Sequence, residues 1–203
     1  MQVFWLIVLM VSISWAQVNI ESFRSDDKLS GNVMLSLSSN IGNVDAVQGD
    51  GSGNITLHTD TGVYIAVLKG GMGFLGGRRF ANSGVMHMRY TLKRSKVWQP
   101  EFFMQADYAK SRKLDRRYLT GGGMRWVLSD QDVLHAAVGS SLMWEHEGLD
   151  VKIGDSHPSQ TSQFRSSNYV NLKINGRATL STTVYYQFAV SSWKDTRLLG
   201  SSE

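Results

Sequence analysis

The stretch from Ser83 to Leu92 reads SGVMHMRYTL and alternates between two kinds of side chain. Every second residue from Met86 onward is apolar, and the residues between them, His87, Arg89 and Thr91, are polar. A period of two is that of a β-strand, in which successive side chains point to opposite faces of the sheet. The stretch therefore predicts a strand with one apolar and one polar face.

The same alternation recurs along most of the chain. It is found in the ranges 29–39, 101–108, 170–175 and 180–190. Tight polar turns at 59–62, 93–96, 129–132 and 175–177 alternate with longer polar stretches near 70–83, 109–115, 146–167 and 192–197. Short turns at one end and longer loops at the other are typical of an all-β, antiparallel, up-and-down transmembrane β-barrel. The chain shows nine such strands and the start of a tenth at Thr196–Leu199.

Residues 129–147 allow a second interpretation. Ser129 can cap a helix, and Val133, Leu134, Ala137 and Val138 would then share one face. Against a helix, Gly139 would lie in its middle, at a cost of up to ~1 kcal/mol. We expect a strand, with Leu134 and Trp144 on one face and His135 and Glu145 on the other.

The glycine-rich run GGMGFLGG at 70–77 raises the question of a nucleotide-binding loop. Gly71, Gly73 and Gly76 fit the pattern G-x-G-x-x-G. That loop needs a helix immediately after it, whose N-terminal amides hold the phosphates. The residues that follow, 78–84, have no helical periodicity, so we expect a glycine-rich strand instead. The same holds for the glycines of 121–126.

The N-terminus predicts secretion. Residues 3–15 are an uncharged apolar run, followed by Ala16 and polar residues. The run is shorter than the ~20 residues that span a membrane, so we interpret 1–16 as a signal peptide cleaved after Ala16, with an uncleaved anchor or a buried helix as alternatives. We expect 17–28 to be a short periplasmic segment and 29–203 to form the barrel. The chain has no cysteine, which excludes disulfides and thiolate metal sites.

Three segments resemble a known family. The stretch LDRRYLTGGGMRWVLSDQDVLHAAVGSSLMWEHE (114–147), the turn at Ile41–Asp45 and the step FFMQADYAKSRKLDRR (102–117) are similar to the salt-induced (YdiY-like) outer-membrane proteins. The resemblance runs from Leu29 to the end of the chain. It implies a barrel of about twelve strands, and barrels of this kind close with an even strand number. With nine or ten strands in sequence, we expect 29–203 to be a C-terminally truncated barrel.

The resemblance also implies a location and partners. It places the protein in the outer membrane, in contact with its lipid and with the barrel-assembly machinery during insertion. It implies a role in the envelope or in salt stress and supplies no specific solute or ligand. Nucleic-acid binding is disfavoured for a secreted barrel.

Catalytic and metal chemistry are weakly indicated. The histidines are His58, His87, His135, His146 and His157. His146 lies between two glutamates, but neighbours on a strand point to opposite faces, so a metal site is not expected. A serine–histidine pairing with His87 or His135 is conceivable inside the barrel, yet the chain lacks G-x-S-x-G. We predict a non-enzymatic protein without a cofactor.

Charged side chains fall on the polar faces and at the long-loop end. The polar faces carry charges of both signs, the cations being Arg89, Arg125 and Lys173 and the anions Glu101, Asp107 and Glu145. These charges form either a network that fills a narrow barrel or the lining of an ion-conducting lumen. Seven basic residues at the loop end could bind lipopolysaccharide phosphates or simply solubilise the loops. They are Arg78, Arg79, Lys110, Arg112, Lys113, Arg116 and Arg117.

The functional prediction is a structural outer-membrane barrel or a passive small-solute pore. The alternative is a soluble secreted β-barrel that binds a small apolar ligand, and an outer-membrane lipid-modifying enzyme comes third. Aromatic residues at strand ends, Tyr90, Tyr108, Trp126, Trp144 and Tyr186, are expected to face lipid. The position of the apolar faces distinguishes the first two classes, because a soluble binder would point them inward.

Overall fold

The computed structural model describes residues 18–24, 27–43, 45–151, 158–176 and 178–202. The expected signal peptide at 1–16, His157 and Arg177 lie outside these residues. Among the residues described, no helix is long and apolar enough to cross a membrane.

Ten antiparallel strands form one sheet, and each pairs with the next in chain order. They are β1 (Leu29–Asn40), β2 (Ala46–His58), β3 (Gly62–Leu75), β4 (Arg78–Leu92), β5 (Trp98–Ala109), β6 (Leu114–Asp130), β7 (Leu134–Leu149), β8 (Gln160–Asn175), β9 (Thr179–Ala189) and β10 (Ser192–Ser202). Short 3-10 helices lie at Glu21–Phe23 and Lys110–Arg112. The predicted all-β, up-and-down architecture is confirmed, and 134–149 is a strand, as expected.

The connections define two ends of the sheet. We call the end with the connections at 41–45, 76–77, 110–113, 150–159 and 190–191 the upper end, and the end with those at 59–61, 93–97, 131–133 and 176–178 the lower end. The expectation of long loops at 70–83 and 192–197 is wrong. The expected loop at 146–167 is too long, because 146–149 belong to β7 and 160–167 belong to β8. β3 and β4 are joined only by Gly76 and Gly77, which have φ of 54° and 75°. Positive φ at both residues is the geometry of a two-residue hairpin turn that follows the twist of the strands.

The glycine run at 70–77 therefore belongs to a hairpin. Gly71 and Gly73 lie in β3, and Gly76 lies in the turn. The residues after the turn continue as β4 rather than as a helix. The structure confirms the interpretation as a glycine-rich strand.

The sheet curls but does not close in the described residues. β1 pairs only with β2, and β10 pairs only with β9. Side chains from distant strands nevertheless meet on the inner side, where the Tyr169 hydroxyl of β8 donates to Glu101 of β5 at 3.2 Å. We call this inner side the concave face and the opposite side the convex face.

The two faces differ in polarity. His87, Arg89, Glu101, Gln105 and Arg125 are all buried on the concave face. Large apolar side chains are exposed on the convex face, among them Leu68, Met88, Phe102, Met104, Leu142, Phe164, Val170, Leu172 and Tyr186. On β4, His87, Arg89 and Thr91 are buried and Met86 and Met88 are exposed, as the alternation predicts, and on β7 Glu145 is buried and Trp144 is exposed.

Residues 18–24 pack into the concave face. Val18 and Ile20 are buried in an apolar cluster with Val63, Ile65 and Val67 of β3. The Thr56 hydroxyl donates to the Phe23 carbonyl at 2.8 Å. On the far side, the Asn19 amide donates to the Ser201 hydroxyl of β10 at 2.8 Å. This stretch of the predicted periplasmic segment therefore connects β2 and β3 with β10 across the interior.

Candidate functional site

The first candidate site is a cluster of charges around Glu101, which we call the lower network. The Glu101 carboxylate accepts from Arg89 Nη1 at 3.0 Å, from the Thr91 hydroxyl at 2.9 Å and from Tyr169. Arg24 Nη2, from the N-terminal segment, also donates to it. With its donors on β4, on β8 and on the N-terminal segment, Glu101 joins parts of the chain that are far apart in sequence. A buried carboxylate needs this number of donors to offset its desolvation.

Glu21 completes the lower network from the N-terminal segment. It accepts from Arg24 Nε at 2.9 Å and from Arg125 Nη2 at 3.1 Å. Burial by itself would raise the pKa of the Glu21 carboxyl, but the Arg24 and Arg125 guanidiniums outweigh burial and lower it to about 2. Burial by itself would lower the pKa of Arg24, but the Glu21 and Glu101 carboxylates outweigh burial and raise it above the ordinary value. Glu21 is thus ionised at every physiological pH and fixes the segment to β6.

A second cluster, the upper network, lies around Arg165 and Glu145. Arg165 Nε donates to Glu145 Oε2 at 2.6 Å, and its Nη2 pairs with Asp195. Arg197 Nη1 donates to Glu145 Oε1 at 2.8 Å, and its Nη2 donates to Glu147 at 3.2 Å. Both oxygens of Glu145 are therefore occupied by guanidiniums from β8 and β10. The network ties β7, β8 and β10 together across the concave face.

One of the seven predicted phosphate contacts lies inside the sheet. Arg117 is buried, and its Nε and Nη2 donate to Asp107 at 3.1 Å and 3.0 Å. It is therefore directed away from the outer surface and is not available to a lipid phosphate there. β6 alternates, so Arg116 and Arg117 point to opposite faces.

The other six predicted contacts are exposed at or near the upper end. They are Arg78, Arg79, Lys110, Arg112, Lys113 and Arg116. Arg79 lies over the Phe74 ring at 5.7 Å, and Lys110 pairs with Asp115. Partial burial and the Arg117 guanidinium lower the pKa of Arg112. Of the seven predicted contacts, Arg117 is therefore directed into the interior and the other six are exposed.

The histidines have ordinary partners. His87 Nδ1 lies 3.0 Å from Gln105 Oε1, and His135 contacts Arg125 at 3.1 Å and Asp130 at 2.9 Å. Neither pairs with a serine in the described residues. In the same residues, no group of three or more histidine, aspartate or glutamate side chains is arranged to hold a metal ion.

A polar cavity of about 1020 Å³ opens at the lower end. Its lining includes Lys93, Arg94 and Lys96 of the turn after β4, together with Lys173 and His135. The lower network forms its inner wall through Glu21 and Arg125. The cavity is therefore a vestibule, and the lower network closes it toward the interior of the sheet.

Sequence reasoning missed several members of both networks, although the alternation contained a signal for some of them. Counting in steps of two from Arg125 to Leu119 places Arg117 on the concave face. The same count from Asn171 and Tyr169 places Arg165 there too. Arg117 was instead predicted at the loop end, and Arg165 lies within the loop predicted at 146–167. The alternation was therefore not followed as far as either residue. Glu21 and Arg24 follow no periodic pattern and could not be found in this way.

Comparison with models of protein families, with curated proteins and with solved structures finds no match to this chain. Membership of the salt-induced outer-membrane family therefore stays a prediction from the sequence.

Proposed function

We propose that this chain is an outer-membrane β-barrel with a filled interior and a structural role in the envelope. The observation that carries the proposal is the polarity of its sheet, which is the reverse of that of a water-soluble barrel. Neighbouring residues Glu101 and Phe102 show the reversal, since the carboxylate is 4% exposed and the phenyl side chain is 58% exposed.

The convex face supports insertion into lipid. A sheet with Leu, Phe, Met and Val exposed over many strands presents a large apolar surface, which is costly in water and favourable in a bilayer. Trp126, Trp144, Tyr108 and Tyr186 are exposed among these side chains. A soluble barrel that binds an apolar ligand would instead place its apolar residues on the concave face.

The concave face supports a structural role over a passive pore. The lower network, the upper network and residues 18–24 all occupy the space that a conducting lumen would need. The charged side chains pair with one another, whereas the charges that line a conducting pore would face water. Closure of the sheet into a barrel and the outer-membrane location are parts of the proposal.

The proposal is tested with the protein expressed from its native gene. Outer membranes are isolated, and the protein is run on SDS gels with and without heating. We expect it in the outer-membrane fraction and expect the unheated band to migrate faster, because a closed barrel resists SDS. In planar bilayers we expect no stable conductance. A soluble periplasmic product without a heat shift would contradict membrane insertion, and a large steady conductance would contradict the filled interior.

A matched variant sharpens the test. Met104→Arg places a charge on the convex face of β5, where the native side chain is 59% exposed. A charge at the bilayer midplane of a barrel costs about 2–4 kcal/mol. We expect less heat-shifted protein from this variant. Met104→Leu, which keeps the position apolar at similar volume, is the control and should leave the amount of heat-shifted protein unchanged.

A further inference from the structure

The convex face carries a groove that the proposed structural role does not explain. A cavity of about 840 Å³ lies over the upper halves of the first strands. Its floor is formed by glycines, and its walls are apolar and aromatic. The floor includes Gly51, Gly53, Gly70 and Gly84, and the walls include Val33, Leu35, Met86, Tyr108 and Tyr118. A smaller cavity of about 520 Å³ continues it past Leu37 and Met72. We call the two together the convex groove.

Close packing does not require a glycine at position 53 or at position 70 in the floor of the groove. A Cβ on Gly70 would approach no atom closer than 3.6 Å, and one on Gly53 none closer than 3.8 Å. Both are ordinary van der Waals distances, so the sheet could carry side chains at these positions. The open volume is therefore not a consequence of backbone crowding. It is space that a ligand can fill.

The upper end of the groove is positively charged. Asp115 and Arg116 line the cavity. The Asp115 carboxylate is already paired with Lys110, whereas Arg116 makes no salt bridge to any of the described residues. An exposed guanidinium at the end of an apolar channel is complementary to a phosphate attached to a hydrocarbon chain.

We propose that the convex groove binds an acyl chain of lipopolysaccharide and that Arg116 contacts a phosphate of its lipid A. The inference rests on the proposed function, because it needs the convex face in lipid and the upper end in the outer leaflet. The groove runs from the middle of the strands toward the upper end, so a chain lying in it would have its phosphate at the level of Arg116. The site would hold one lipid in place, whereas the rest of the convex face only contacts the bilayer.

The test is a titration of the detergent-solubilised protein with diphosphorylated lipid A, followed by native mass spectrometry. We expect one lipid A per protein. Gly70→Leu fills the groove at a position with room for a Cβ, and Arg116→Gln removes the charge. Each should weaken binding by about tenfold, which corresponds to about 1.4 kcal/mol. Thr120→Leu, on the convex face outside the groove, and Lys96→Gln, at the lower end, are the matched controls and should bind as the native protein does.

The outcomes separate this inference from the proposed function. The heat shift on SDS gels is measured for every variant, so that a loss of binding is interpreted only in folded protein. Unchanged binding by Gly70→Leu and Arg116→Gln, in protein that keeps its heat shift, would overturn the lipid site and leave the barrel intact. Equal affinity for phosphatidylglycerol would also overturn it. A native protein without a heat shift would overturn the barrel itself.

Discussion

The concave and convex faces of the sheet are made from the same strands, yet they have opposite chemistry. On β7, Glu145 is 1% exposed on the concave face and its neighbour Trp144 is 37% exposed on the convex face. A slip of one residue in the strand register would exchange the two faces completely. The difference shows that this register is fixed by two requirements at once. Every concave charge needs a partner, and every convex apolar group needs surroundings other than water.

The glycines show the same contrast. On the concave face, a Cβ on Gly123 would lie 2.2 Å from the backbone oxygen of Ser140, and one on Gly139 would lie 2.0 Å from the Tyr169 ring. On the convex face, Gly53 and Gly70 have room for a side chain. Gly123 and Gly139 permit close approach of a strand and a ring on the inside, whereas Gly53 and Gly70 leave a groove on the outside.

The largest expected effect comes from breaking the upper network. Glu145→Gln removes the carboxylate that Arg165 and Arg197 share, while Arg165 itself is fully buried. Removal of one partner of a buried ion pair costs about 3–5 kcal/mol because the remaining charge stays in the interior. The measurement is the urea midpoint for loss of the heat-shifted band.

Glu147→Gln is the control for this experiment. Glu147 pairs with Arg197 at 3.2 Å, and its side chain is more exposed than that of Glu145. We expect a loss of no more than about 1 kcal/mol. Equal losses for the two variants would mean that the upper network does not stabilise the interior in the way described.

A smaller effect is expected from adding one methyl group to each face. Gly123→Ala should destabilise the sheet by about 1–3 kcal/mol, because the neighbouring atom belongs to the backbone and cannot move aside. Gly70→Ala should change stability by less than about 0.5 kcal/mol. Urea unfolding of both variants checks the contrast. A loss at Gly70 as large as the loss at Gly123 would refute the distinction between crowded and open glycines.

The smallest effect concerns pH and residues 18–24. The pKa of Glu21 is about 2 in the folded protein, below the ordinary value of 4.5. Its stabilisation is therefore complete above pH 4.5 and is lost as the pH falls from there toward 2. We expect protease cleavage near residue 24 to accelerate in this window while the heat-shifted band persists. Glu21→Gln should be cleaved quickly already at pH 7, and a native rate that does not change down to pH 2 would contradict the role of Glu21.

Much of this architecture could be predicted from the sequence because alternation is a local signal. The faces of Met88, Phe102 and Trp144 follow directly from a period of two, and the strand order follows from the short turns between successive strands. The turn at Gly76–Gly77 could not be located in the sequence, because the neighbouring glycines of the same run also indicate a loop. Prediction of a long loop at 70–83 failed for this reason.

The interior was less predictable, since it depends on contacts between distant residues. Arg117 was assigned to the rim although alternation places it inside. The docking of Glu21 and Arg24 onto β5 and β6 leaves no local pattern in the sequence. The groove likewise depends on glycines from three different strands that are adjacent only in the folded sheet.

The polarity of the two faces can be tested most directly with single cysteines, because the chain has none of its own. A fluorescent probe is placed at Val170→Cys on the convex face or at Lys173→Cys on the concave face of β8, in protein reconstituted into vesicles. We predict that brominated acyl chains quench the Val170 probe and that aqueous iodide quenches the Lys173 probe. Quenching of the Val170 probe by iodide, with no effect of brominated lipid, would contradict the account.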